Sequence, residues 1–493
     1  MATGDVKTFH ESGGVAASAY PADRVHAKVG QAESGNHNQI YLIGNAAQAK
    51  DVFGRGPLVD ALIQHFEEFN VDRGEQVVPV LAIRPENDDA GSVNIVEGDG
   101  NTGAVATPTT SGAPTATRKV VLVVTKAGAS GTAEYKRSLD GGITFESPLV
   151  FPASASPLSL GSGVTATFTD DATPADTFDV GDTFTFELTG PTPSTESILA
   201  ALEFLKQEYR AYFIQVLHKA DLAFAVALNA LAAEMATDFH NPVRMIVEAL
   251  AKTGDETVAE YYARLMSEYE PFFSDRVMIV AWEGYYIAGG IEAAGGIAAV
   301  EALNVAGEWR NAATFLAARA AASAVNESTA WVEKNRSRTF SKIRYWEEGY
   351  QDYYDSLDDM RLVVGKLYDN YQGIFIASDK IKSHPDSDFI ELPEGRRADK
   401  MHRIVRMTTL PFLHADAEVN SSSGGIAAVE AAVNAAVSKQ MMQAGAREIS
   451  SAKVTLDPDK TYSQDQILKA RIQMGIKGRT KSIEWTTSFA ILK

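Results

Sequence analysis

The densest run of side chains able to do chemistry is 345–359, where Tyr345, Trp346, Tyr350, Tyr353 and Tyr354 alternate with Glu347, Glu348, Asp352, Asp355, Asp358 and Asp359. Carboxylates among aromatic rings are what a glycosidase cleft uses, two acids flanking the scissile bond while rings stack on sugar. Helical spacing gives another reading, since it puts Trp346, Tyr350 and Tyr353 on one face and the acids elsewhere. Nothing in the run sets two carboxylates in different environments, which an acid/base pair needs. The stretch reads as an aromatic packing stripe on an acidic helix.

Other chemistry is absent from the pattern. The nine histidines (10, 26, 37, 65, 218, 240, 384, 402 and 414) are scattered, with no His-x-His or His-x3-His pair and no HExxH. There is no GxxxxGK[ST], and the glycines between Gly44 and Gly56 lack the spacing that cradles a pyrophosphate. No GxSxG elbow occurs, and cysteine is absent, which excludes disulfides, thiolate metal sites and thiol nucleophiles. The sequence therefore offers no catalytic, cofactor-binding or metal-ligating residue, and we expect a protein that is not an enzyme and carries no cofactor.

The elements that would position any site come in blocks. With 493 residues, 45% hydrophobic, the chain can bury more than one core. A net charge of −19 repels phosphate backbones, so no nucleic-acid partner is expected. The N-terminus has no basic-then-apolar leader, and the most apolar stretch, 287–303, is broken by Glu292, Glu301 and paired glycines, so no membrane insertion is expected.

Within the polar first 38 residues, Val25, Ala27 and Val29 alternate with polar neighbours and predict a half-buried strand. An apolar run at 39–44, a helix opened by Pro57 and a strand at 77–83 then make a strand–helix–strand unit. From 87 to 193 the chain turns rich in Gly, Ser, Thr, Pro and Asp, with short strand-like pieces and the turn Asp140-Gly141-Gly142, which predicts an inserted β-sandwich-like domain. From 194 to 281 helices and strands alternate, the rhythm of a helix-covered, largely parallel sheet, and an Ala-rich helix follows at 306–325. The octapeptide Gly-Gly-Ile-Ala-Ala-Val-Glu-Ala occurs at 295–302 and again at 424–431, with flanks that do not match; it reads as reuse of a helix-start composition. The fold class expected is α/β (α+β) multidomain, a helix-covered mixed sheet with an inserted β domain and extended terminal strands.

The C-terminus is the most patterned part. Leu468, Ala470, Ile472, Met474 and Ile476 alternate with polar residues, and beyond Lys477-Gly478-Arg479 so do Ile483, Trp485, Thr487, Phe489 and Ile491. Two period-two strands so joined predict a hairpin or a crossing pair, and a strand reaching the last residue needs a docking partner to avoid fraying. Residues 453–493 hold eight basic side chains against four acidic ones, on an otherwise acidic body, a polarity that favours head-to-tail self-association.

Several segments resemble contractile tail sheath proteins of phages and related injection machines: 23–30 (Asp-Arg-Val-His-Ala-Lys-Val-Gly), Gly44 to Phe53-Gly54-Arg55-Gly56-Pro57-Leu58-Val59, and Gly373-Ile374-Phe375-Ile376-Ala377-Ser378-Asp379 followed by Ser387-Asp388-Phe389 and Arg396-Arg397. Their order along the chain, with the terminal strands, carries the resemblance over all but 87–193. It implies a virion-tail subunit, assembled in the host bacterial cytoplasm into stacked hexameric rings around a tail tube, with baseplate and tail terminator proteins as further partners. It also implies an N-terminal arm (1–30), a core (31–86 with 194–395), an outer β domain (87–193) and a C-terminal domain (396–493) ending in an arm. The arm candidates are Val25, Ala27 and Val29 at one end and Ile483, Trp485, Thr487, Phe489 and Ile491 at the other, adding strands to neighbouring subunits. The competing readings are another virion or surface-layer protein with a carbohydrate-binding β domain, or a glycan-active α/β enzyme.

Overall fold

The computed structural model describes residues 22–139, 141–142, 144–206, 211–369, 371–412, 424–443, 447–457 and 469–476. The chain enters through β1 (His26–Val29), β2 (Ile40–Ile43), α1 (Ala46–Phe53), α2 (Pro57–Glu67) and β3 (Val80–Ile83). Asn45 caps α1 by accepting from the Gln48 amide at 2.9 Å, and Pro57 opens α2, where its missing N–H costs nothing. Gly56 before it sits at φ 122°, where a side chain would be strained and its Cβ would press on the Gln31 and Ala32 backbone at 3.1 Å.

Residues 92–189 form eight strands: β4 (Ser92–Glu97), β5 (Thr109–Ser111), β6 (Arg118–Lys126), β7 (Glu134–Ser138), β8 (Leu149–Val150), β9 (Pro157–Gly161), β10 (Val164–Thr167) and β11 (Thr183–Thr189). They make a five-stranded antiparallel sheet, β4-β11-β6-β7-β8, and a three-stranded one, β5-β10-β9. Alternation buries Phe184, Phe186 and Leu188 from β11 and Val120, Leu122 and Val124 from β6 around Phe151, Phe168 and Phe178. These residues are a core of their own. At the neck, Asp89 pairs with Thr192, and the Asp88 carboxylate accepts from the Ser194 amide at 2.7 Å.

The chain returns through α3 (Thr195–Glu203), β12 (Phe213–Lys219), α4 (Leu222–Thr237), β13 (Arg244–Glu248), α5 (Val258–Tyr269) and β14 (Val277–Val280). The main sheet runs β14-β13-β12-β1-β3-β2, parallel except for the edge strand β2. This corrects the reading of 25–29. β1 is a central strand, paired with β12 on one side and β3 on the other, and all four of its residues are buried. Ala27 and Val29 face α3 while His26 and Lys28, expected toward solvent, lie under α2 and α7, so the alternation reflected two different buried faces.

Smaller pieces flank the main sheet. β15 (Glu283–Tyr286), α6 (Ile297–Ala302), β16 (Glu308–Asn311), α7 (Ala313–Ala322), β17 (Phe340–Ile343), α8 (Gln351–Asp359), β18 (Gly365–Tyr368) and β19 (Tyr371–Ile376) follow in order. The Ala-rich helix expected at 306–325 starts only at Ala313, because 308–311 pairs with β15 as a strand. The two copies of the octapeptide both enter helices. The first stops after six residues; the second continues for fourteen, through the Ala-Val-Asn-Ala-Ala-Val that follows it.

Candidate assembly interface

The last elements are α9 (Leu392–Thr409), α10 (Gly424–Val437), β20 (Ser451–Asp457) and β21 (Lys469–Gly475). A capping box of Glu391 and Glu394 starts α9, with Pro393 in the first turn. One face of α9 is charged yet buried against the body. Arg244 of β13 grips Asp399 in a bidentate pair (2.7 and 3.1 Å), with Arg276 at 3.6 Å from the same carboxylate. Arg403 donates to the carbonyls of Ala211 and Pro242, both at 2.7 Å, at the starting edge of the parallel sheet. Arg396 reaches the Ala320 carbonyl at the end of α7, and burial pushes its guanidinium down to about 10. Lys400 bridges Asp23 (2.7 Å) and Glu448 (2.6 Å). Burial works against the Lys400 ammonium, yet the two carboxylates hold it above its ordinary value, while burial raises Glu448 despite Lys400.

The opposite face of α9 is apolar. Met401 and Ile404 pack with Val433, Val437, Met441, Ile449 and Val454, with Ala452, Ile472 and Met474 at the margin. β20 and β21 pair antiparallel over their whole length, Ser451 with Gly475 through to Asp457 with Lys469, as a sheet of two strands. Among the described residues the outer edge of each strand is unpaired. A strand edge is a row of unsatisfied N–H and C=O groups, a ready template for another chain. The described chain stops at Ile476, whose side chain is 48% exposed beside that edge.

Residues 469–475 pair with 451–457 on one edge, and the expected hairpin or crossing pair of 468–476 with 483–491 lies outside the described residues. Ile483, Trp485, Thr487, Phe489 and Ile491 lie outside the described residues, as do residues 1–21. Ala27 and Val29 sit in the main core with both strand edges filled and have no backbone left to offer a neighbour, while Val25 packs against that core and its carbonyl accepts from the Tyr212 amide at 2.9 Å. Sequence reading passed over β20, although Ala452, Val454 and Leu456 alternate in it. It also passed over the buried face of α9, although Arg396, Asp399, Lys400 and Arg403 recur at helical spacing.

The run at 345–359 is packing. Tyr262 meets Tyr350 and Tyr353 at 5.6 and 5.4 Å, and Trp346 meets Tyr350 and Tyr354 at 5.8 and 6.2 Å between ring centroids. The Tyr350 hydroxyl accepts from the Gly365 amide (2.9 Å), and Asp358 pairs with Lys380. Among the described residues no group of three or more His, Asp or Glu could hold a metal ion, and no helix is long and apolar enough to cross a membrane.

With this geometry in hand, likeness to known proteins can be stated. No curated protein matches the chain. Among solved structures, the chain resembles one from the six-fold symmetrised baseplate of the anti-feeding prophage, 11% identical over 100% of both chains with a TM-score of 0.51, which is a shared fold. It is also similar to the sheath tail protein of Desulfitobacterium hafniense (12% identity, 92% of this chain and 94% of that one, TM-score 0.47). The sheath tail protein of Listeria innocua matches at 11% identity over 88% of each chain, TM-score 0.45. Residues 3–380 match the family described as DUF2586, N-terminal domain, and residues 388–491 the one described as DUF2586, C-terminal domain. Matched in this way along nearly its whole length, the chain belongs to the DUF2586 family.

Proposed function

We propose that this chain is a structural subunit of a contractile tail sheath, polymerising into stacked hexameric rings around a tail tube and contracting to drive that tube through a target envelope. The observation that carries the reading is the two-stranded β20–β21 sheet, both of whose outer edges are unpaired among the described residues, held on a body to which α9 is pinned by buried ion pairs. Strand addition at such an edge links subunits through backbone bonds that survive large rigid-body movements. The fold shared with a chain of the anti-feeding prophage baseplate agrees with it. Residues 477–493 supply the strand for a neighbour's edge, and residues 1–21 are the N-terminal arm, shortened from 1–30 because β1 belongs to the body. The strands of 92–189 stand outside the core as an outer decoration, and tube, baseplate and tail terminator proteins are the remaining partners in a virion tail. The reaction is mechanical and uses no cofactor.

Negative-stain electron microscopy of the purified chain tests this. Hollow tubes or stacked rings of uniform width are expected, and a chain lacking 479–493 should remain folded by circular dichroism yet form none. Tubes of normal width and order from the truncated chain would refute strand exchange at this edge.

A further inference from the structure

Beneath α2 and α7 the main core is not apolar. His26 and Lys28 on β1, Gln215 on β12, His65 on α2 and Thr314 on α7 are all buried together. The rings of His26 and His65 lie 4.7 Å apart, and His26 stacks on Phe213 at 4.6 Å. Lys28 donates to the Gln215 side-chain oxygen, and Gln215 in turn donates to the Thr314 hydroxyl at 2.8 Å. His65 Nε2 lies 3.2 Å from the Val78 carbonyl, while its Nδ1 has no hydrogen-bond partner and His26 has only weak backbone support from Arg24.

Among the described residues the layer holds three bases and no acid to balance them. Just past α2, the buried Glu68 carboxylate is occupied by Ser337, Thr339 and the Arg338 amide. From α7, Arg319 turns to Glu75, and from α9, Arg396 adds a further positive charge near His26. β3 brings only Val80, Leu81, Ala82 and Ile83. A buried cation without a counter-ion is costly, so each proton taken up here works against the packing around it.

We propose that this layer is an acid-released latch: proton uptake at His26 and His65, beside Lys28, frees α2 and α7 from the sheet while β12, β13 and β14 stay paired. Burial, with the Lys28 charge beside them, holds both imidazoles well below 6.5, and burial brings Lys28 down to about 7. The sign follows from linkage. A base whose folded value is depressed contributes stability above its unfolded value and loses it as pH falls below, so the two imidazoles act from about pH 6.5 downward. The Lys28 contribution is already spent by about pH 7, leaving a charge in place that further opposes protonating the imidazoles. The latch belongs to the subunit itself and stands apart from the sheath reading.

The test is hydrogen–deuterium exchange of the full chain between pH 7.5 and 5.5, corrected for intrinsic exchange rates. One pH unit below 6.5 should raise the opening equilibrium about tenfold per imidazole, about a hundredfold for both, in peptides covering 57–67 and 313–322. Peptides covering 244–248 and 277–280 should change little. In a His26→Phe/His65→Leu chain the acid response of 57–67 should vanish. Should that chain fail to fold, the single variants His26→Phe and His65→Leu should each remove about tenfold. An equal acid response in all peptides, or one retained in the variants, would overturn the latch.

Discussion

Replacing Asp399 by Asn leaves two guanidinium groups, Arg244 and Arg276, facing a neutral amide at the joint between body and C-terminal layer. The side chains of Arg244 and Asp399 are only 2% and 4% exposed, so water cannot take the place of the lost carboxylate. Removing one partner of a buried, bidentate pair costs about 3–5 kcal/mol, most of it from the charge left behind. Replacing both partners with apolar side chains of similar size, Arg244→Met with Asp399→Leu, should cost less than about 1.5 kcal/mol, because the buried Arg244 charge is gone and Arg276, its side chain 25% exposed, keeps its contact with water. Urea denaturation followed by tryptophan fluorescence, run as a double-mutant cycle, reads both figures. The expected result is a strongly favourable coupling, the double variant being more stable than Asp399→Asn alone. A loss under about 1 kcal/mol for Asp399→Asn, or single effects that simply add, would refute the assignment of α9 as an electrostatically clamped element.

Lys28→Met should raise the thermal midpoint at pH 7.5 and flatten its pH dependence. The folded ammonium titrates at about 7 against 10.5 ordinarily, so wild-type stability falls as pH drops from about 10.5 to 7, by several kcal/mol at about 1.4 per unit; an unchanged slope would contradict this. Tyr350→Phe leaves the Gly365 amide without its buried acceptor and should cost about 1–3 kcal/mol in the same urea assay, although every ring contact is kept. Deleting 92–189 and closing the neck at Asp89 and Thr192 with a short linker should leave tubes intact by electron microscopy, since those strands carry their own core; loss of tubes would make that region an interface.

Much of the architecture was legible because local rules and tertiary packing agree. Pro57 marks a helix start in both, as does Ser194, whose hydroxyl accepts from the Ser197 amide at 3.2 Å. The period-two runs in 183–188 and 470–474 became strands, because a strand with one face covered must alternate. The change of composition over 87–193 falls where the strands of 92–189 lie, and helical spacing alone made the 345–359 run a packing stripe.

Other features were decided only by the tertiary structure. By sequence 25–29 reads as a half-buried strand, since His26 and Lys28 are polar, yet β3 and β12 enclose β1 and two helices bury its polar face. No one-dimensional pattern distinguishes a solvated polar face from one satisfied by a residue 187 positions away, as Lys28 is by Gln215. The pairing of 469–475 with 451–457 was likewise invisible, because strand pairing is chosen by which edge the fold presents, and 451–457 packs with α10. The sequence by itself determined the elements, their polarity and the lack of catalytic motifs. The tertiary structure decided which alternating strands are closed inside the core and which keep an edge open among the described residues, because an edge exists only relative to the strands that fail to cover it.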